Sequence, residues 1–160
     1  MATQLAEKHD GALDGAMGLR VWLRLLSASM TVEKRVRRRF ADQFGTTLPR
    51  FDVLAALDRR PDGMTMSELS RTLLVSNGNV TALVQTLASD SLVRVEQSQT
   101  DKRVSTVALT LAGADRFAEM AATHRGWIES MFAGLEPRDK AALFDLLGVL
   151  KTSIAEEDAT

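Results

Sequence analysis

Apolar residues recur at helical spacing along most of the chain. Leu19, Trp22, Leu23, Leu26 and Met30 form one stripe, which Phe40 and Phe44 extend, so a long first helix is predicted over about Asp14–Phe44. Gly45-Thr46-Thr47 ends it, and Pro49 suits the first turn of a second helix, where its missing N–H costs nothing. Phe51, Leu54 and Leu57 share one face of that helix, and Pro61-Asp62-Gly63 has turn chemistry.

The middle of the chain changes rhythm. Thr65-Met66-Ser67-Glu68 has capping-box spacing, in which Thr65 accepts from the third helical N–H and Glu68 reaches back. It opens a short helix from Met66 to about Leu74. Ser76 is a good N-cap for another, Asn77 to about Ser89, with Val80, Leu83, Val84 and Leu87 facing inward. Leu92–Glu96 and Val104–Leu109 are β-branched and alternating, and the polar turn Gln97–Arg103 between them predicts a hairpin. Thr110 then caps a fifth helix, striped by Phe117, Met120, Ala121, His124, Ile128 and Met131. Pro137 begins a last one, with Leu143, Leu146, Leu147, Leu150 and Ile154 on one face. The expected class is mainly α with a small β wing, as one domain over 1–160.

Composition narrows the chemistry. The 160 residues are 45% hydrophobic and 26% charged, which suits a globular core. The absence of cysteine removes disulfides, thiolate metal sites and thiol redox sensing, and two histidines, His9 and His124, are too few for a histidine-built metal site. No apolar run is long enough for a membrane span, and the N-terminus lacks a signal-peptide layout, so no membrane association and a cytoplasmic location are expected. The formal net charge of -1 does not by itself favour nucleic acid. Local phosphate contacts set DNA affinity, so pattern must carry that reading.

The pattern does so. Two short helices joined by a tight turn and followed by a hairpin make a winged helix-turn-helix, which lays its second helix in the major groove. With the apolar residues of the fourth helix turned inward, Asn77, Asn79, Thr81 and Gln85 face outward, and Gly78 lets backbone approach a phosphate. Asn and Gln can pair bidentately with adenine. At the hairpin tip, Asp101-Lys102-Arg103 offers a carboxylate that can hold a nearby guanidinium in one orientation, and an Arg so held can enter a minor groove. Arg94 on the first wing strand could reach the DNA backbone. Polar residues on one helix face, or a charged hairpin tip, are individually no more than solvated surface. Their order along the chain is what makes them specific.

Met66-Ser67-Glu68-Leu69-Ser70, Val75-Ser76-Asn77-Gly78-Asn79-Val80-Thr81, and Asp101-Lys102-Arg103 followed by Val107-Ala108-Leu109-Thr110 resemble the DNA-binding core of the MarR family of bacterial regulators. One long helix before this core and two after it match as well. The resemblance implies a winged helix-turn-helix lobe over 48–110, with Ser67 added to the DNA-contacting set. It implies dimerisation helices over 14–45 and 111–155, and a ligand pocket between these regions. The apolar stripes of the first and last helices agree with a two-fold dimer, although such stripes also serve intramolecular cores. The expected partners are a second copy of the chain and pseudo-palindromic operator DNA, read by two helices about 34 Å apart.

Two features suggest an effector. Lys34, Arg35, Arg37, Arg38 and Arg39 crowd one stretch of the first helix, as a solvated face, an accessory DNA contact, or an anion site for phosphate or carboxylate. His124 lies on an apolar stripe beside Arg125 and near Trp127, as a core residue or as the partner of a phenolic hydroxyl. In the second case Trp127, Trp22 and Phe51 would supply aromatic walls. The Ser67–Arg71 and Ser76–Thr81 segments, with His124 and Trp127-Ile128, are similar to a MarR branch controlling hydroxycinnamate catabolism, several of whose members answer the CoA thioester. The resemblance thus implies a repressor released by an aromatic acyl-CoA, such as a hydroxycinnamoyl-CoA thioester. A free aromatic carboxylate or phenolic compound is the alternative. No cofactor is expected. The chain shows no catalytic carboxylate pair, glycine-rich phosphate loop or triad layout, so an enzyme is not expected; a protein-binding winged helix is the remaining rival.

Overall fold

The computed structural model describes residues 17–97 and 105–157, the side chain of Asn77 excepted. In chain order the elements are α1 (Met17–Phe44), α2 (Leu48–Asp58), β1 (Met64–Thr65), α3 (Met66–Leu73), α4 (Asn77–Ser89), β2 (Val93–Gln97), β3 (Ser105–Leu109), α5 (Leu111–Met131) and α6 (Pro137–Glu157). This is the expected mainly helical architecture with a small sheet. By compactness the chain divides into residues 1–124 and 125–160.

In the first unit the core gathers where α1, α2, α3, α4 and the sheet turn their apolar sides inward. Phe40, Leu54, Leu57, Leu69, Val84, Leu87 and Val107 are almost wholly excluded from solvent. Leu83, expected to be buried with its neighbours on α4, is only half-buried. In α1 the buried residues are Val36 and Phe40, and Val36 is not part of the stripe read from the sequence. That stripe's N-terminal members Leu19, Trp22 and Met30 are exposed. The end of α1 is closed by Gly45 at φ +60, where glycine pays no steric penalty. There Arg116 of α5 donates to the Phe44 carbonyl at 3.2 Å, and its guanidinium lies 5.0 Å from the Phe44 ring centroid. A cation at a helix C-terminus is favourable against the dipole.

The two predicted wing strands pair, with β2 antiparallel to β3 in a register running from Val93↔Leu109 to Gln97↔Ser105, so Gln97, expected in the turn, belongs to β2. A third strand, not foreseen, joins the hairpin: β1 pairs Met64 with Val107 and Thr65 with Thr106, giving the order β1-β3-β2. Gly63, at φ +86, leads into β1; a Cβ there would stand 2.6 Å from the Val107 carbonyl oxygen. Below the hairpin, Thr110 ties the sheet to α5. Its hydroxyl donates to Ser91 O at 2.7 Å and accepts from the Gly113 N–H at 2.9 Å, as a helix cap should.

In the second unit, α6 starts at Pro137 and buries none of its residues. Leu143, Phe144, Leu146, Val149 and Ile154 are all exposed, Phe144 to 79%. Lys140 of α6 lies 3.5 Å from Glu129 on α5. No described helix is long and apolar enough to cross a membrane.

Candidate nucleic-acid interface

The presenting helix is α4. Its predecessor α3 opens with the complete capping box: Glu68 N–H donates to Thr65 Oγ1 at 3.2 Å, while Thr65 N–H donates to Glu68 Oε2 at 2.8 Å. The Thr65 N–H and the Thr65 hydroxyl, which donates to the same Glu68 Oε2 at 2.9 Å, hold the Glu68 carboxyl below its usual range, helped by Arg60 and Arg71. Arg60, just beyond α2, stands 3.5 Å from the same carboxylate and so links α2 to α3.

Leu74, Val75 and Ser76 form the turn. Leu74 takes a left-handed conformation, and its N–H donates to the carbonyls of Arg71 and Ser70. Ser70 Oγ donates to Val75 O at 2.5 Å. Ser76 caps α4, its Oγ accepting from Asn79 N–H at 3.4 Å, and Val80, Val84 and Leu87 bury the inward side. Gly78, Asn79 and Gln85 lie exposed on the other side, and Thr81 is half-buried. Nothing approaches within 4 Å of the position a Gly78 Cβ would take, so its bare backbone faces open space. Ser67 and Ser76 are also exposed. The fold thus presents Ser67, Ser76, Gly78, Asn79 and Gln85 on the α3–α4 pair.

The wing is described only at its base. Asp101, Lys102 and Arg103, expected at its tip, lie outside the described residues. Arg94 is occupied within the hairpin: its Nε donates to Glu96 Oε1 at 2.8 Å and its Nη1 to Leu109 O at 3.1 Å. Both bonds draw the guanidinium toward the strands. Its side chain still keeps about half its surface in solvent, at 54%.

The residues read as effector contacts separate into two kinds within the first unit. Phe51 and His124 do meet, with ring centroids 5.1 Å apart, as parts of a larger aromatic cluster in which both remain in contact with Phe40. Phe51 also packs at 4.7 Å on Phe40 and 5.5 Å on Phe117, and His124 stacks on Phe40 at 5.7 Å. Burial pushes the His124 imidazole below its ordinary pKa, because the interior disfavours its charged form. Trp22, by contrast, is exposed to 54%. Along the basic run, Arg37 pairs with Glu33 at 2.6 Å and Arg38 with Asp42 at 3.4 Å, while Arg35 is exposed and Arg39 half-buried. Carboxylates one turn away therefore offset part of the charge. Arg125 and Trp127 belong to the second unit, where Arg125 is exposed and Trp127 buried. Among the described residues, no three His, Cys, Asp or Glu are grouped as a metal site.

The sequence reading missed Asp52. This α2 carboxyl is pushed above its ordinary pKa chiefly by burial; Arg37 opposes the shift and Glu33 adds to it. Only the packing of α2 makes Asp52 distinguishable from the other charged residues of its helix.

Residues 44–104 match the model of the MarR family. The transcriptional activatory protein BadR of Rhodopseudomonas palustris is 32% identical over 108 residues, covering 65% of this chain and 61% of BadR. The match therefore spans less than two thirds of that relative's length. The crystal structure of a MarR family transcriptional regulator from Silicibacter pomeroyi is similar at a TM-score of 0.70 and 31% identity, covering 85% of this chain and 94% of the other. Bordetella bronchiseptica BpsR, whose DNA binding is regulated by 6-hydroxynicotinic acid, is similar in fold at a TM-score of 0.69 and 21% identity. That similarity covers 80% of this chain and 98% of BpsR.

Proposed function

The chain belongs to the MarR family, and from that premise we propose that it is a transcriptional regulator, not an enzyme, that binds duplex DNA as a homodimer and is released by a small aromatic effector. The observation that carries the DNA-binding reading is the exposed face of α4. Gly78, Asn79 and Gln85 stand clear of a helix whose opposite side is locked into the core by Val80, Val84 and Leu87. A capped helix with an open N-terminus and amide side chains beyond it suits a phosphate contact followed by base-edge readout. The exposed apolar side chains of α6 support a two-fold partner, since water contact leaves their burial free energy unused.

The test is a titration of the full chain against random duplex and against the DNA upstream of its own gene at several salt concentrations. Phosphate-reading binding weakens along a steep logarithmic salt slope. A protein-binding winged helix would show little DNA affinity at any salt, and that result would overturn the proposal.

For the effector we favour an aromatic acyl-CoA thioester acting on a repressor. The exposed Arg35 and the weakly paired Arg38 offer charge for phosphates, since an exposed ion pair such as Arg38–Asp42 contributes little and is readily exchanged. A free hydroxylated aromatic carboxylate is the second reading, supported by the 6-hydroxynicotinic acid that regulates BpsR. A thermal-shift screen of aromatic acids beside their CoA thioesters separates the two, because a ligand selective for the native state must stabilise it. In a reconstituted transcription assay, the stabilising compound should raise output if the chain represses. A fall in output would mark an activator, the activity that BadR is named for.

A further inference from the structure

We propose that Leu74, in the turn between α3 and α4, makes an apolar contact with the duplex, a role that rests on the DNA-binding reading above. Two independent observations single it out. Its backbone sits at φ 54, ψ 38. That region brings Cβ against the following carbonyl and is costly for an L residue other than glycine, asparagine or aspartate. Its side chain is 92% exposed, the highest value among the exposed large apolar residues described. A strained backbone is ordinarily offset by what its side chain packs against, and here the folded chain supplies almost no packing. Leu111, exposed to 81%, makes the contrast: it opens α5 without any positive φ.

The conformation is imposed by bonds that do not use the Leu74 side chain. Its own N–H closes α3 on the Arg71 and Ser70 carbonyls, Val75 N–H donates to Ser70 O at 3.2 Å, and Ser70 Oγ donates back to Val75 O at 2.5 Å. This bracket fixes Leu74 two residues ahead of Ser76, the cap of α4, in an exposed stretch of chain that leads to the exposed Gly78 and Asn79. Val75, next to it, is also 36% exposed. An apolar group at the mouth of a groove-reading helix fits the apolar parts of a duplex. These are the C5-methyl of thymine, which lines the major groove, and the carbon edge of deoxyribose.

The experiment compares the full chain with Leu74→Gly, Leu74→Asn and Leu74→Met. Each is measured for Tm and for affinity to a duplex recovered by the wild type from a randomised pool. Gly and Asn accept the left-handed backbone, so both variants should keep or raise Tm while losing DNA affinity, by about fourfold for each methylene the contact removes from water. Met retains apolar reach and should bind more tightly than either. Repeating the measurement with deoxyuracil in place of thymine identifies the contacted atoms. A thymine methyl contact makes wild-type affinity fall and erases the difference from Leu74→Gly, whereas a deoxyribose contact leaves that difference unchanged. The proposal is overturned if Leu74→Gly and Leu74→Asn bind as tightly as the wild type, or if both melt lower. A wild type that recovers no duplex from the pool overturns the DNA-binding reading itself.

Discussion

At residue scale two glycines, Gly113 and Gly78, behave oppositely. Gly113 lies in α5, where alanine is intrinsically the better helix former. A Cβ on it would stand 1.8 Å from the Leu92 carbonyl oxygen, a backbone atom that cannot swing away. Gly113→Ala should therefore lower unfolding free energy by at least about 1–3 kcal/mol in urea titrations, as overpacking does. Gly78→Ala meets open space and should leave stability unchanged or raise it by up to about 1 kcal/mol. It should nevertheless weaken DNA affinity, because the methyl occupies the side offered to a phosphate. Titratable residues add pH signatures. The imidazole of His124 is held below 6.5 when folded, so its contribution is intact above the unfolded value and is lost as pH falls through the interval beneath it. His124→Gln should flatten that acid limb of the Tm profile. Asp52 shifts upward, so the folded state holds its proton more tightly; this contribution is present in acid and lost as pH rises through the raised value. Asp52→Asn should raise Tm at neutral pH.

Elements are where reading from sequence succeeds or fails most visibly. The Thr65/Glu68 box and the Ser76 cap were legible because a cap is a contract between residues three apart, and both cap bonds are present. Ser76→Ala should cost about 1 kcal/mol in denaturant unfolding and lower DNA affinity as the first turn of α4 frays. β1 was not legible, since two residues carry no period and become a strand only when Val107 and Thr106 lie alongside. Val36 escaped for a related reason. The eye follows the Leu19–Met30 stripe, yet burial in α1 is decided by which part of the helix meets α2, and that part holds Val36 and Phe40. Among the candidate interface residues, Asn79 and Gln85 were readable as the complement of a clear inward face. The bond from Arg94 to Leu109 O was not, because it depends on the register of β2 against β3.

For the whole molecule the main question is what covers α6. Its exposed Leu143, Phe144, Leu146, Val149 and Ile154 exceed the scattered apolar residues a surface ordinarily carries. Phe144→Glu should shift sedimentation toward the monomer and weaken binding to a two-fold operator more than binding to a half-site. An unchanged sedimentation coefficient would place the dimer contact elsewhere. By itself the amino-acid sequence determined the helices, their caps, the hairpin and the polar side of α4, since each depends on neighbours within a few turns of the chain. Tertiary structure alone decided the third strand, the Phe40–Phe51–His124 cluster and the raised Asp52 carboxyl. Those features follow from which distant surfaces exclude water from one another, and local periodicity does not encode that.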